Sequence, residues 1–300
     1  MQAFSLNLFD NILELHNSLT DKSYRHGGYK SFYINDPKRR HIHKASIRDR
    51  LLHHAVYRTL YPFFERTFIA DSFSCRLDKG THKALNRFRE FAFIVSKNHT
   101  RTCLALKIDI RKFFASIDHE ILLQILREYI KDNDLIWLLG QIIESFNSST
   151  GERVGLPLGN LTSQLFANVY LNPFDQWIRH KLRAKFYLRY ADDMVFLSAD
   201  KGYLYEILPR IELFLQGNLK LNLHPNKIFI KTVASGLDFL GWLHFPDYRI
   251  LRQSARRRMF SRIKISPNNL TLQSYLGLLS HGNTHKIQEK LLNGYWLYKS

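Results

Sequence analysis

Two short, mainly apolar runs, Tyr187–Tyr190 and Met194–Ser198, stand on either side of Ala191-Asp192-Asp193. No other feature constrains the chain as much. The runs are too short for helices, and the residues between them suit a tight turn, so the segment reads as a β-hairpin with acids at its tip. A bare Asp-Asp would ordinarily be a solvated turn, because Asp is a turn former. Here Tyr190 and Val195-Phe196-Leu197 are apolar enough to bury both arms. A second acid has the same setting: Leu104–Ile108 reads as a strand that ends in Asp109 and is followed by Phe113-Phe114. Clustered carboxylates at packed strand ends repel each other unless a divalent cation neutralises them. Magnesium suits this role, because it takes hard oxygen ligands and keeps several waters. Two such ions about 4 Å apart would clamp the attacking and leaving oxygens of an in-line phosphoryl transfer.

The remaining texture places these acids in a larger frame. Residues 1–60 are basic and broken by turns, with Gly27-Gly28 and Asp36-Pro37 as punctuation. Ser116 or Asp118 would cap a helix over 119–130, and a second helix is expected over 134–146. Gly151, Gly155, Pro157 and Gly159 make a loop before a long helix over about 162–183. Residues 203–216 look helical, with Pro209 expected to kink the helix or shift its start. Short strands are expected near 227–232 and 237–244, and a basic helical segment from about 250 to the end.

Charge narrows the class of partner. Of 300 residues, 44 are Lys or Arg and 26 are Asp or Glu, a formal net charge of +18 that points to a polyanion such as nucleic acid. The densest patch, Lys38-Arg39-Arg40-His41-Ile42-His43-Lys44, is either a solvated basic loop or a phosphate-contacting surface, and Arg256-Arg257-Arg258 is a second candidate. The nearby histidines lack the cysteines or paired carboxylates of a zinc site. Cys75 and Cys103 are expected to be ordinary buried residues rather than a redox pair. No apolar run approaches the ~20 residues that cross a bilayer, so no membrane partner is expected. Met1–Ser5 lacks the start of a signal peptide, and a cytoplasmic protein is expected.

These residues, in this order, resemble the reverse transcriptases. Tyr190-Ala191-Asp192-Asp193 matches their Tyr-x-Asp-Asp box, and Lys107–Phe114 with Ile117-Asp118-His119 matches the block bearing their first catalytic aspartate. Asp71–Arg76 through Ala84-Leu85 resembles the second fingers block, Leu223–Lys227 the palm-lysine block, and Gly236–Trp242 the primer grip. The resemblance implies an α+β right-hand polymerase: fingers over 1–103, a palm with an antiparallel sheet over 104–249 that includes finger elements around 150–180, and a helical thumb over 250–300. It implies Asp109, Asp192 and Asp193 as catalytic metal ligands, with the Ile110 carbonyl as a backbone ligand and two Mg2+ ions, or Mn2+ in their place. Arg76 and Lys79 would hold the incoming triphosphate. Phe114 would lie under the sugar, where a bulky ring excludes a 2′-hydroxyl. Tyr190 and Lys227 would support the site. Implied partners are template RNA, nascent cDNA and dNTPs.

The stretch Gly155–Gln164 bears on the subgroup. Intron-type enzymes usually carry Gln where Leu158 sits and Pro where Gln164 sits, and both positions would border the incoming nucleotide. The pattern here resembles the enzymes of diversity-generating retroelements, which miscopy template adenines and work with a small basic accessory protein. A retron, phage-defence or group II intron-like enzyme is the alternative within the family. From another class, the alternative is an inactive RNA-binding protein that reuses the fold.

Overall fold

A computed structural model of the chain describes residues 6–35, 38–148 and 151–299. Met1–Ser5, read for a leader, and Asp36-Pro37, read as a turn, lie outside the described residues. At the centre is an antiparallel sheet in the order β4-β5-β3-β6, made of β3 (Leu104–Asp109), β4 (Tyr187–Tyr190), β5 (Asp193–Ser198) and β6 (Phe229–Thr232). Its strands alternate between two buried faces. Leu106, Ile108, Met194, Phe196 and Tyr187 point into one core, whereas Ala105, Leu188, Val195 and Leu197 point into another. Burial on both faces explains why these strands read as nearly continuous apolar runs.

The first core is closed by five helices: α2 (Ile47–Glu65), α4 (His119–Tyr129), α5 (Asn133–Ile143), α6 (Leu161–His180) and α7 (Lys201–Leu219), with Leu15 of α1 (Leu8–Thr20) at its margin. The second core lies against α3 (Thr81–Val95), a three-stranded sheet of β7 (Leu237–Phe239), β8 (Trp242–His244) and β9 (Arg249–Leu251), and three final helices. These are α8 (Gln253–Ile265), α9 (Asn269–Leu279) and α10 (His285–Lys299), and they contribute Met259, Ile263, Leu272, Leu279, Leu291 and Tyr295.

Several expectations are corrected. The region over 1–60 is not merely turns: α1 and α2 lie within or begin in it, and Ser46 caps α2 by accepting from the Asp49 N–H. The basic run is not a loop. Arg40–Lys44 forms β2, paired antiparallel with β1 (Lys30–Ile34). The helix expected over 134–146 ends at Ile143, and that over 162–183 ends at His180. Pro209 sits inside α7 without shifting its start to 203. Lys227 belongs to a 3-10 turn, Pro225–Lys227, that precedes β6. The segment 237–244 is a hairpin that turns at Leu240-Gly241, both at positive φ. Cys103 is buried as expected, but Cys75 is exposed. Asp118, one of the two candidate caps, accepts from the Glu120 and Ile121 N–H groups at the start of α4.

Candidate active site

Strand pairing brings the three acids together. Asp109, the last residue of β3, lies directly opposite Asp193, the first of β5, and Asp193 also pairs with Tyr190 of β4. Directly opposed residues share a face of a sheet, so Asp109, Asp193 and Tyr190 emerge on the side of the second core. Between β4 and β5 the chain turns in two residues, with Ala191 at φ +54°. The Asp192 carbonyl accepts from the Ile110 N–H at 3.4 Å, which ties the turn to the end of β3.

Two lysines meet this charge. Lys227 Nζ lies 2.7 Å from Asp109 Oδ1, and Lys107 Nζ lies 3.1 Å from Asp193 Oδ2. Lys107 also donates to the Asp238 carbonyl at 2.8 Å, linking the site to β7. Burial raises the pKa of Asp192, and the neighbouring Asp109 charge raises it further, while Lys227 and Arg40 act in the opposite sense. Burial pushes Asp193 up to about 6, against the pull of Lys107. Asp193 Oδ1 is buried with no hydrogen-bond partner. Among the described residues no three Asp, Glu, His or Cys side chains form a ready-made metal cluster. Nevertheless, the donor chemistry fits a divalent cation: hard carboxylate oxygens are held together against their own repulsion, one of them has an unused acceptor atom, and lysines supply the neutralising charge.

Tyr190 O–H lies 3.2 Å from Thr81 Oγ1 at the start of α3. Phe114 is half-buried and packs edge-on against the buried Phe113, their centroids 5.6 Å apart. The Arg76 guanidinium, only 4% exposed, is held by Glu65, the Ile69 and Ser72 carbonyls and Ser72 Oγ. Lys79 Nζ donates to the Ala70 carbonyl at 2.8 Å. Leu158 and Gln164 are half-buried, and the Leu158 carbonyl accepts from His43 N–H of β2 at 2.8 Å. Asn160 reinforces that junction, donating to the His43 carbonyl and accepting from Ala45 N–H. The loop is thus stapled to the basic hairpin, and Arg40 of that hairpin lies near enough for its charge to act on Asp192. Lys38, Arg39, Arg40 and Lys44 are exposed, as are Arg256, Arg257 and Arg258 on α8.

Sequence reasoning missed Lys107 and the buried pair Arg189–Asp175. Lys107 had a usable signal: two residues before Asp109 on a strand, it must share that residue's face. Arg189 had only its oddity in an apolar strand, since Asp175 lies on a separate helix.

An antiparallel sheet with acids at adjacent strand tips, a basic hairpin stapled to the loop before α6, and a terminal helical trio together make the α+β fold of a right-hand polymerase. Residues 34–244 match the family described as "Reverse transcriptase (RNA-dependent DNA polymerase)", and the chain belongs to that family. It is 25% identical over 247 residues to protein YkfC of Escherichia coli, covering 70% of this chain and 63% of that protein. It is 23% identical over 319 residues to the group II intron-encoded protein LtrA of Lactococcus lactis, covering 83% of this chain and 51% of that protein. Among solved structures, telomerase from Candida albicans in complex with a TWJ fragment of telomeric RNA superposes with a TM-score of 0.57. That match has 10% identity and covers 94% of this chain and 59% of the telomerase chain, a likeness of fold alone. The chain spans less than two thirds of the length of each of these proteins.

Proposed function

We propose that this chain is an RNA-directed DNA polymerase, a nucleotidyltransferase that copies template RNA into cDNA from dNTPs. The observation that carries this reading is that Asp109, from one distant stretch of sequence, lies opposite Asp193 at the end of paired strands, with Asp192 in the adjoining turn tied to Ile110. A pure RNA binder gains nothing from clustered negative charge beside its ligand. Asp109 and Asp192 would hold Mg2+, with Asp193 as the third acid and the Ile110 carbonyl nearby. Bound there, the cation supplies charge neutralisation and alignment for phosphoryl transfer. The chain's own groups do the rest. Lys227 and Lys107 keep the acids close before substrate arrives. Phe114 screens the sugar, and Lys79 and Arg40 offer cationic charge to phosphates. Arg76 would reach a triphosphate only by exchanging its Glu65 contact. In this reading residues 1–103 are the fingers, 104–249 the palm and 250–300 the thumb.

Within the family, the reading extends to an error-prone enzyme of the diversity-generating type, acting with a small basic accessory protein. Leu158 supports this. It sits in the loop stapled to β2, and an aliphatic side chain cannot report base-pair shape through hydrogen bonds. One assay tests both levels: dNTP incorporation on a defined RNA template, followed by sequencing of the product. Asp192→Asn is expected to abolish incorporation while RNA binding persists, and near-normal synthesis would defeat the active-site reading. Leu158→Gln is expected to lower misincorporation opposite adenine several-fold, the yield of about one net hydrogen bond. Equal adenine error in both proteins would defeat the subgroup and leave the polymerase standing.

A further inference from the structure

Arg189, in the middle of the strand that leads to the acidic turn, is 1% exposed, and its partner Asp175 on α6 is 0% exposed. Its Nε donates to both Asp175 oxygens at 3.0 Å, and Nη2 donates to Oδ2 at 2.6 Å. The Tyr187 hydroxyl donates to the same carboxylate at 2.8 Å. Around this pair the sheet face is apolar, bearing Leu106, Ile108, Met194 and Phe196. A buried ion pair in such a place is poor value for stability, because apolar residues of similar volume would serve as well or better. Its purpose is read from the remaining donor. Nη1 is directed to Asn168 Oδ1 at 3.2 Å and to the Ala191 carbonyl at 3.1 Å.

That carbonyl belongs to the peptide immediately before Asp192, in a turn where Ala191 holds a left-handed φ of +54°. The peptide after Asp192 is held by Ile110. Both peptides flanking Asp192 are therefore pinned, one from each side of the turn. The same strand position also anchors the 71–80 segment. Arg189 N–H donates to the Asp71 carbonyl and its carbonyl accepts from Phe73 N–H, both at 2.9 Å, while Asn168 Nδ2 donates to the Ser74 carbonyl at 2.9 Å.

We infer that Arg189 is a positioning residue: its fork, oriented by Asp175 and Asn168, fixes the Ala191 peptide and so aims the Asp192 carboxylate at Asp109. The inference rests on the polymerase reading above for its rate measurements. The discriminating variant replaces the ion pair and its tyrosine hydroxyl by apolar groups: Arg189→Met, Asp175→Leu and Tyr187→Phe together. A purely structural pair predicts that this protein regains both stability and activity. A positioning role predicts a folded protein that binds RNA normally but loses at least tenfold in kcat at saturating dNTP, with the KM for dNTP unchanged. Mn2+ titration of the free protein, followed by water-proton relaxation, is expected to show several-fold weaker binding. Arg189→Lys keeps the charge but not the fork, so it is expected to fold and show the same kcat loss with unchanged KM; it carries the test if the triple variant does not fold. Wild-type kcat and Mn2+ affinity in a folded variant would overturn the inference. A wild-type protein without incorporation would instead defeat the polymerase reading, and the Mn2+ arm would still decide the role of Arg189.

Discussion

Asp193 carries a conflict that can be measured without substrate. Burial raises its pKa to about 6 from an ordinary 3.8, and Oδ1 lacks any partner. A folded-state pKa above the unfolded value means that the folded protein binds the proton more tightly. The stabilising contribution is therefore full below about 4 and is lost as pH rises through about 6. The difference of roughly two units corresponds to at most about 3 kcal/mol. Asn is isosteric and uncharged, so Asp193→Asn removes the conflict at neutral pH, though the loss of a partner for Lys107 offsets part of the gain. In chelator, the variant is expected to melt a few degrees higher than wild type at pH 7.5 and to show no advantage at pH 4. Thermal unfolding at the two pH values checks this. An advantage that is the same at both would mean that the charge of Asp193 is not the source.

At the scale of elements, the junction between β2 and the loop before α6 is what ties the basic hairpin to the rest of the chain. Gly159 adopts φ +106°, and a Cβ there would lie 2.6 Å from Ile42 Cγ2. Gly159→Ala therefore meets both backbone strain and a side chain of the very hairpin that the loop holds. A cost of about 2 kcal/mol is expected. Hydrogen exchange should localise it, with the His43 amide, bonded to the Leu158 carbonyl, losing protection before the central sheet. Unchanged protection at His43 would mean that the staple does not hold the hairpin. This junction also marks where sequence legibility stops. The strand ending in Asp109 and the hairpin around Asp192 were legible, because both are short apolar runs ended by acids, and their pairing follows once both are strands. The β1–β2 hairpin was not. Its strands expose Phe32, Tyr33 and Ile34 beside Lys38–Lys44, so no alternation announces a buried face. What holds it is a loop more than a hundred residues away. Arg189 and Asp175 were opaque for the same reason, since a buried ion pair is a relation between two positions and neither residue announces it alone. By contrast, Lys107 lay in plain view.

Over the whole molecule, the net charge of +18 is distributed so that its function can be tested separately from catalysis. One exposed group, Lys38, Arg39, Arg40 and Lys44, is on the β1–β2 hairpin, where the Arg40 charge already acts on Asp192. Another lies on α8, where Arg256 and Arg257 are exposed. On the proposed function these groups would grip a template without reading its sequence, through phosphate contacts that release condensed counterions. Each contact to a single strand contributes roughly 0.7 to the slope of log affinity against log salt. The combined change Arg256→Gln and Arg257→Gln is therefore expected to flatten the slope by about 1.4. Replacing Lys38, Arg39, Arg40 and Lys44 by Gln should flatten it by about 2.8, and the two sets together by about their sum. Fluorescence anisotropy of a labelled RNA across a salt series measures all four proteins. The two sets also differ in kind. Losing the α8 pair should weaken RNA binding and leave the dNTP KM as it was, whereas losing the hairpin set removes the Arg40 charge that acts on Asp192 and should raise the dNTP KM as well. A slope unmoved by either set would mean that the positive charge serves another partner, whatever the three aspartates do.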